Sequence, residues 1–395
     1  RRREPGGHDL GGRHGGRPLP PGQPDRAAGP QRPADRRRDH RRDLDQTLAR
    51  QFRVPQHSRN AEGRCALAGD EKIRTTRDRR GEGKAYYFQG KIDQAITDWN
   101  KAIELDPQNS NAYFNRGLVY QNQGDFVRAV EDYSKTIELN PDNAMSHFKP
   151  YFNRGLAYQN QGNFTKAVED FTKAIEIDPN YIESYINRGR AYGAEWKLDQ
   201  AIADFNKAIE IDLKFSMAYS NRALVYQNQN QLDLAIEDFT KIIELDPNNA
   251  NAYFNRGLIY QNQGNLNQAI ENYNKSIELD PNYSWSYNNR GYAYFDLGNM
   301  IEAIEDYNKA IEVDPQNVQA YINRGLVYQN QGELDRALSD YDQAISIDPK
   351  NVDAYYNRGF IYAMREQYDL AESDLTKYIE VIPNNPMAYG LRSNI

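Results

Sequence analysis

The stretch NAYFNRGLVYQNQG, residues 111–124, returns as NAYFNRGLIYQNQG at residues 251–264 with 13 of its 14 positions unchanged. The two copies stand 140 residues apart, and the reason lies in the spacing of prolines between and beyond them. Prolines occur at 107, 141, 179, 247, 281, 315, 349 and 383, with Leu213 in place of one more. Every interval is a multiple of 34 except that from 141 to 179, which is 38, so one unit carries four extra residues near Met145–Pro150. A fixed period of this length indicates an array of similar structural units.

Composition divides the chain near residue 80. The net charge is −7, but residues 1–80 hold 21 Lys and Arg against 11 Asp and Glu, and residues 81–395 hold 28 against 45. A single cysteine, Cys65, excludes an internal disulfide framework and a multi-cysteine metal site. No run of 18 apolar residues occurs, so no membrane span is predicted. The first methionine is Met145, so we expect the true start to be missing, and we expect a cytoplasmic location.

Residues 1–75 form an Arg-, Gly- and Pro-rich segment that we predict to be disordered. Its apolar residues are too few to offset the entropy of ordering the chain. An RNA-binding arm is one interpretation, because arginines meet phosphates, but no interleaved Phe or Tyr is present to stack on bases. A solvated linker, or translated sequence foreign to the protein, is the alternative.

Each unit contains two helical patterns joined by a polar link. Tyr113, Gly117 and Tyr120 share one face of a first helix, and Ala129 and Tyr133 belong to the apolar face of a second. Prolines after the second helix end it. Helices this short are not stable alone, so each pair must bury its apolar face on its neighbours, which predicts a solenoid.

Columns of equivalent residues have packing roles. Small residues that let the two helices approach recur at Gly117, Gly155, Gly189, Ala223, Gly257, Gly291, Gly325 and Gly359. Large core aromatics recur at Trp99, Tyr133, Phe171, Phe205, Phe239, Tyr273, Tyr307 and Tyr341. Glycines in the links, such as Gly124 and Gly264, suit a left-handed turn.

A 34-residue helix–turn–helix unit with this order of Tyr, Gly, Tyr, Ala, aromatic and Pro resembles the tetratricopeptide repeat. The resemblance covers residues 76–385 and implies an all-α, right-handed superhelical solenoid whose first helices line the concave face. It divides the array into nine repeats, at 76–109, 110–143, 144–181, 182–215, 216–249, 250–283, 284–317, 318–351 and 352–385, and residues 386–395 begin a truncated further repeat.

One column departs from that family. Where the family commonly has Leu before the small residue, this chain has Arg116, Arg154, Arg188, Arg222, Arg256, Arg290, Arg324, Arg358 and Arg392. An Asp nearly always precedes the core aromatic of the second helix, at Asp98, Asp132, Asp170, Asp204, Asp238, Asp306 and Asp340, with Asn272 as the exception. Our hypothesis is a series of Arg–Asp pairs between the helices. The alternative is that each Arg extends its charged end into water.

By resemblance, the Asn before each of these Arg residues faces the concave groove. The column consists of Asn115, Asn153, Asn187, Asn221, Asn255, Asn289, Asn323 and Asn357. An amide both donates and accepts, so such a column suits the backbone of an extended peptide. The alternative is that each Asn bridges neighbouring helices.

Two repeats differ from the rest. The repeat at 284–317 carries candidate peptide-binding residues on one helical face, namely Trp285, Asn288, Tyr292 and Phe295, where aromatic anchors would suit a groove unless they pack on the adjacent repeat. The repeat at 182–215 has Arg190, Gly193, Trp196 and Leu213, which we interpret as a local irregularity. Because Lys149 and Arg190 are almost the only basic groove residues, binding of chaperone tails through a charged clamp is not expected.

No catalytic, metal-binding or cofactor-binding motif appears, so we expect neither enzymatic activity nor a cofactor. The predicted function is a protein–protein interaction scaffold that binds extended polypeptide segments, basic ones included, with no membrane partner and nucleic acid unexpected. One alternative is the substrate-recruiting region of a larger enzyme, such as a glycosyltransferase or kinase. The weaker alternative is an RNA-associated protein acting through the Arg-rich segment.

Overall fold

A computed structural model describes residues 83–140 and 148–393 of the chain. The predicted Arg-rich segment and most of the four-residue insertion lie outside these residues. Residues 83–88 are helical, and the helices that follow are α1 (Ile92–Leu105), α2 (Ser110–Asn122), α3 (Phe126–Leu139), α4 (Lys149–Asn160), α5 (Phe164–Ile177), α6 (Ile182–Ala194), α7 (Leu198–Ile211), α8 (Ser216–Asn228), α9 (Leu232–Leu245), α10 (Ala250–Asn262), α11 (Leu266–Leu279), α12 (Ser284–Asp296), α13 (Met300–Val313), α14 (Val318–Asn330), α15 (Leu334–Ile347), α16 (Val352–Met364), α17 (Tyr368–Val381) and α18 (Pro386–Ser393).

Even-numbered helices are the first helices of the repeats and odd-numbered helices are the second. From α2 to α17, each first helix packs on the second helix of its repeat, and each second helix from α1 to α17 packs on the first helix that follows it, as the predicted solenoid requires. First helices of consecutive repeats also contact one another along most of the array, and consecutive second helices do not approach as closely. The first helices therefore form the inner row of the stack, which we call the first-helix row.

The turns between repeats are built by short polar side chains. After α9, the Asp246 carboxylate accepts a hydrogen bond from the Asn248 backbone N–H at 3.1 Å. Asn249 then caps α10, since its side-chain oxygen accepts from the Ala252 N–H at 3.0 Å. These two bonds explain why the sequence Asp-Pro followed two residues later by Asn separates one repeat from the next.

The turns inside the repeats confirm the predicted left-handed glycines. Gly124 and Gly264 both have a φ of +80°, a conformation that side chains disfavour. Three repeats place a larger residue there: Trp196 and Asn230 each adopt a φ of +60°, and Glu366 adopts a φ of +58°.

The predicted core columns are also confirmed. Ala129 and Tyr133 are fully buried. A methyl group added at Gly117 would lie 2.9 Å from the Tyr133 ring, so the small-residue column is needed for the two helices to approach.

Candidate functional site

Seven of the eight residues of the Asn column lie half-buried along the first-helix row. Six of its members donate from Nδ2 to the backbone carbonyl four residues earlier in their own helix, at 2.6–2.9 Å: Asn115, Asn153, Asn187, Asn221, Asn255 and Asn289. This bond uses one N–H of the amide and fixes the orientation of the side chain. The second N–H and the amide oxygen remain for other partners.

Asn323 behaves differently. It is only 7% exposed, and its Nδ2 donates to Oδ1 of Asn288 in the preceding first helix at 3.0 Å. Its own Oδ1 accepts from Gln319 at 2.8 Å. Asn288 is itself 3% exposed, so this pair joins α12 to α14 and neither amide lies at the surface. The remaining member of the column, Asn357, is half-buried in α16.

The three aromatic candidates of α12 are all half-buried. Trp285 packs against the core of the preceding repeat, beside Phe254 and Tyr273. Phe295 packs in the opposite direction, on a cluster that contains Tyr307 and Val327. Tyr292 lies between the two along the helix. Packing on a neighbouring repeat, the alternative that the sequence offered, is therefore present for two of the three side chains, but all three residues stay half-buried rather than fully buried.

In seven of the described repeats an Arg–Asp pair holds the first helix to the second helix, which confirms the hypothesis drawn from the sequence for these repeats. Arg116 donates from Nε to Asp132 Oδ2 at 2.8 Å and from Nη2 to Oδ1 at 2.7 Å, a two-pronged contact. The same contact joins Arg154–Asp170, Arg188–Asp204, Arg222–Asp238, Arg290–Asp306, Arg324–Asp340 and Arg358–Asp374.

The third arm of each guanidinium reaches the preceding repeat, a contact that the sequence reasoning missed. Arg116 Nη1 donates to Asn100 Oδ1 at 2.6 Å. Equivalent acceptors are Ser134, Thr172, Asn206, Thr240, Asn274, Asn308, Asp342 and Thr376. A column of short polar residues directly after the core aromatic was the available signal. One Arg thus links two consecutive second helices and helps set the angle between repeats.

The guanidiniums are further confined by tyrosines. Arg116 lies 5.5 Å from the ring centre of Tyr113 and 5.9 Å from that of Tyr120. Burial raises the pKa of the Asp132 carboxyl above its ordinary value, and the hydrogen bond from Arg116 opposes that rise. The pKa of Arg116 is raised by its hydrogen bond to Asp132, so the guanidinium stays charged.

The repeat at 250–283 has the weakest of these pairs. Arg256 donates from Nε to Asn272 Oδ1 at 2.9 Å, while Asn272 Nδ2 donates to the Gln268 carbonyl of its own helix at 2.8 Å. A neutral amide therefore replaces the carboxylate in this repeat. The fold therefore accepts the replacement of one ion pair by a hydrogen bond to a neutral amide.

Two further observations bear on the kind of site. Within residues 83–140 and 148–393, no group of three or more His, Cys, Asp and Glu side chains could hold a metal ion. In the same part of the chain, no helix has both the length and the apolar character needed to cross a bilayer.

The paired helices and their aligned columns define a helical-repeat protein. The description "Tetratricopeptide repeat" matches residues 110–143, 148–181, 182–215, 216–249, 250–283, 272–305 and 352–385, and the description "TPR repeat" matches 83–124, 291–332 and 330–364. These matches cover more than half of the chain, and the chain belongs to the tetratricopeptide repeat family.

One solved structure agrees with the fold. A tetratricopeptide repeat protein from Parabacteroides merdae is 22% identical, with a TM-score of 0.51 over 68% of this chain and 99% of that one. The chain is also similar to YrrB, described as a TPR protein with an unusual peptide-binding site, at 26% identity and a TM-score of 0.39 over 47% of this chain and 96% of that one. MamA is 26% identical, with a TM-score of 0.40 over 45% and 96% of the two chains. A comparison with curated protein sequences gave no match.

Proposed function

We propose that this chain is a non-catalytic protein-interaction scaffold that binds extended polypeptide segments along the first-helix row. The observation that carries the proposal is the series of six half-buried Asn amides, each held in one orientation by a bond within its own helix. A side chain already held in its binding orientation loses little entropy when a partner arrives.

The spacing of these amides suits a peptide backbone. Packed helices lie roughly 8–10 Å apart, so the amides of neighbouring first helices recur at about that distance. An extended chain rises about 3.3 Å per residue, so one amide meets about every third residue of a bound segment. Each amide keeps one N–H and one oxygen for the carbonyl and N–H of the peptide.

The region around α12 supplies a different kind of contact. There the Asn288–Asn323 bond takes two amides out of the surface, and the half-buried rings of Trp285, Tyr292 and Phe295 stand along the same helix. Aromatic side chains fixed by packing are typical binding anchors. We propose that the amides hold the backbone of the segment and that the α12 aromatics hold one of its apolar side chains.

The test is selection of peptides from a random display library on the full chain. The variant to compare carries Asn221→Ala and Asn255→Ala, which removes two neighbouring amides that make no bond to another repeat. The matched control carries Gln200→Ala and Asn267→Ala, two exposed amides on second helices. All three proteins are first checked for equal helical content by circular dichroism.

We expect the selected peptides to bind the control as they bind the original chain, and the Asn variant about tenfold or more weakly, because two backbone hydrogen bonds are worth roughly 1–3 kcal/mol together. Equal binding by the Asn variant and the control would exclude the amide column as the binding surface. Failure to select any peptide would overturn the proposed function as a whole.

A further inference from the structure

Two apolar side chains lie exposed at the turn between α12 and α13. Leu297 directly follows α12 and is 42% exposed, and Ile301 lies in the first turn of α13 and is 70% exposed. In every other repeat of the array the position of Leu297 is polar or charged: Gln89, Gln123, Gln161, Glu195, Gln229, Gln263, Gln331 and Arg365. The repeat at 284–317 alone combines an apolar residue there with one at the position of Ile301.

In several other repeats these two positions form a polar bond across the junction between repeats. Gln229 Nε2 donates to Asp199 Oδ1 at 3.0 Å, and the two residues stand 30 positions apart. Gln263 Nε2 donates to Asp233 Oδ1 at 2.9 Å with the same separation. Equivalent contacts join Thr165 to Glu195 and Arg365 to Asp335. Polar residues at these positions thus add a bond between consecutive repeats.

Leu297 and Ile301 form no such bond, because aliphatic side chains neither donate nor accept. They adjoin a half-buried apolar surface instead: Phe295 packs on the same core cluster as Met300, directly before Ile301, and Ile304, one turn after it. We call Phe295, Leu297 and Ile301 together the apolar edge. A surface patch of apolar side chains that replaces polar bonds between repeats is a feature of interaction sites.

Acidic residues accompany the apolar edge. Residues 291–308 contain four Asp or Glu and no Lys or Arg. Glu302 and Glu305 are exposed on the first two turns of α13. In the next repeat, Arg336 is already bound to Glu333 at 2.7 Å. A partner with Lys or Arg beside its apolar side chains therefore matches the charge of this surface, and an acidic partner is repelled.

The backbone of the turn limits the form of the partner. The N–H groups of residues 297–300 all donate to carbonyls of the same turn or of α12; that of Asn299, for instance, donates to the Tyr294 carbonyl at 2.9 Å. An extended segment that binds by main-chain hydrogen bonds needs an exposed row of such groups, which this turn does not offer. A helix satisfies its own backbone groups and presents only side chains, so a helix suits the apolar edge.

A second copy of the same edge is a poor match. A symmetric contact between two copies would bring Glu302 and Glu305 of one copy towards the same residues of the other. Like charges that meet in a contact between two molecules weaken it. The charge of the surface therefore favours a different, basic partner.

We propose that the apolar edge docks an amphipathic helix of a partner protein, with two large apolar side chains one turn apart and Lys or Arg beside them. The apolar side chains cover Leu297 and Ile301, and the cations meet Glu302 and Glu305. The proposal goes beyond the proposed function, because it does not depend on the Asn amides of the first-helix row. A contact of this size buries less than about 1,200 Å² in total, the range of transient complexes.

The probe is a displayed library of 18-residue, Ala-rich helices with one randomised face, selected on the full chain. The edge variant carries Leu297→Gln and Ile301→Asp, the residues most frequent at these positions in the other repeats, so we expect it to fold. The control variant carries Val127→Asp and Leu234→Gln, which removes two exposed apolar side chains from other second helices and adds the same charge. Equal helical content of all proteins is first checked by circular dichroism.

We expect the selected helices to carry two large apolar residues three or four positions apart, with Lys or Arg beside them. Synthetic copies should bind the edge variant about 10- to 100-fold more weakly, since two apolar contacts are lost, although the variant is more negative. Binding to the control variant should stay within about twofold. A third variant, with Glu302→Gln and Glu305→Gln, should bind about 3- to 10-fold more weakly and with less dependence on salt.

Selected helices that bind the edge variant as tightly as the original chain, or no selected helix at all, would overturn the proposal. Helices without Lys or Arg, or with equal affinity for the third variant, would overturn the basic character of the partner. A dimer of the original chain in sedimentation that the edge variant does not form would assign the edge to a second copy instead. The variant with Asn221→Ala and Asn255→Ala should bind the helices as the original chain does, so failure of the proposed function leaves this result unchanged.

Discussion

Arg222 offers the sharpest test of what holds consecutive repeats together. Its guanidinium donates to Asp238 at 3.0 and 2.5 Å and to Asn206, in the preceding second helix, at 2.5 Å. The Asp238 side chain is 4% exposed and that of Arg222 is 19% exposed. Arg222→Ala would therefore leave a buried carboxylate without its cation and remove the apolar stem as well. Loss of one partner of such a pair costs about 3–5 kcal/mol.

Arg222→Leu separates the two contributions. It strands the same carboxylate, but its side chain refills the space of the arginine stem, and each buried methylene contributes about 0.8 kcal/mol. We expect Arg222→Leu to be about 2 kcal/mol less damaging than Arg222→Ala. That difference corresponds to roughly a 30-fold difference in protection from hydrogen exchange.

The measurement is hydrogen exchange of α8 and α9 by mass spectrometry, because repeat arrays open locally and need not unfold in one step. The matched controls are Arg256→Ala and Arg256→Leu, since Arg256 faces the neutral Asn272. They should cost less than the Arg222 variants, as no carboxylate is stranded. Equal loss of protection in Arg222→Ala and Arg222→Leu would refute the packing part of this reasoning, and equal losses at Arg222 and Arg256 would refute the charge part.

Two further predictions concern backbone and packing in the repeats that depart from the pattern. Gly189→Ala should lower the free energy of unfolding by about 1–3 kcal/mol, because the new methyl would lie 2.7 Å from the Phe205 ring. Gly193→Ala on the same helix should raise the free energy of unfolding by up to about 1 kcal/mol, because Ala favours a helix and nothing lies within 4 Å of the new methyl. Urea unfolding of both variants checks this, and a loss of stability in Gly193→Ala would contradict it. Trp196→Gly should stabilise the chain by about 1 kcal/mol, because it relieves a left-handed φ of +60°. Asn230→Gly should change the stability little, since Asn tolerates that conformation. Thermal unfolding that ranks the two variants the other way would refute the argument.

The fold could be predicted from sequence because the same local signals recur from one repeat to the next. Pro at a 34-residue interval ends the second helix, Gly at positions such as 124 and 264 permits a left-handed turn, and the Ala and aromatic columns mark the buried faces. These are short-range properties of backbone and side chain, so they need no knowledge of distant contacts. Agreement among repeats removes the ambiguity that a single helix pair would leave.

The Arg–Asp pairs could be predicted only in part from the sequence. The alternation of Arg and Asp columns was visible in the sequence, and with it the possibility of pairing. The third contact, from Arg116 to Asn100 in the preceding repeat, depends on how one repeat is rotated against the next. That angle results from the packing of many side chains at once, which is why the contact became apparent only in the assembled solenoid.

The candidate surface depended most on tertiary structure. Eight Asn residues look equivalent in sequence, yet Asn323 is buried and bonded to Asn288, while Asn255 stays half-buried with its amide held inside its own helix. The difference arises because Asn288 replaces an apolar residue in the neighbouring repeat, 35 positions away in sequence. Repetition in the chain therefore specifies the repeat and its stacking, and the contacts between unequal neighbours decide which polar groups remain for a partner.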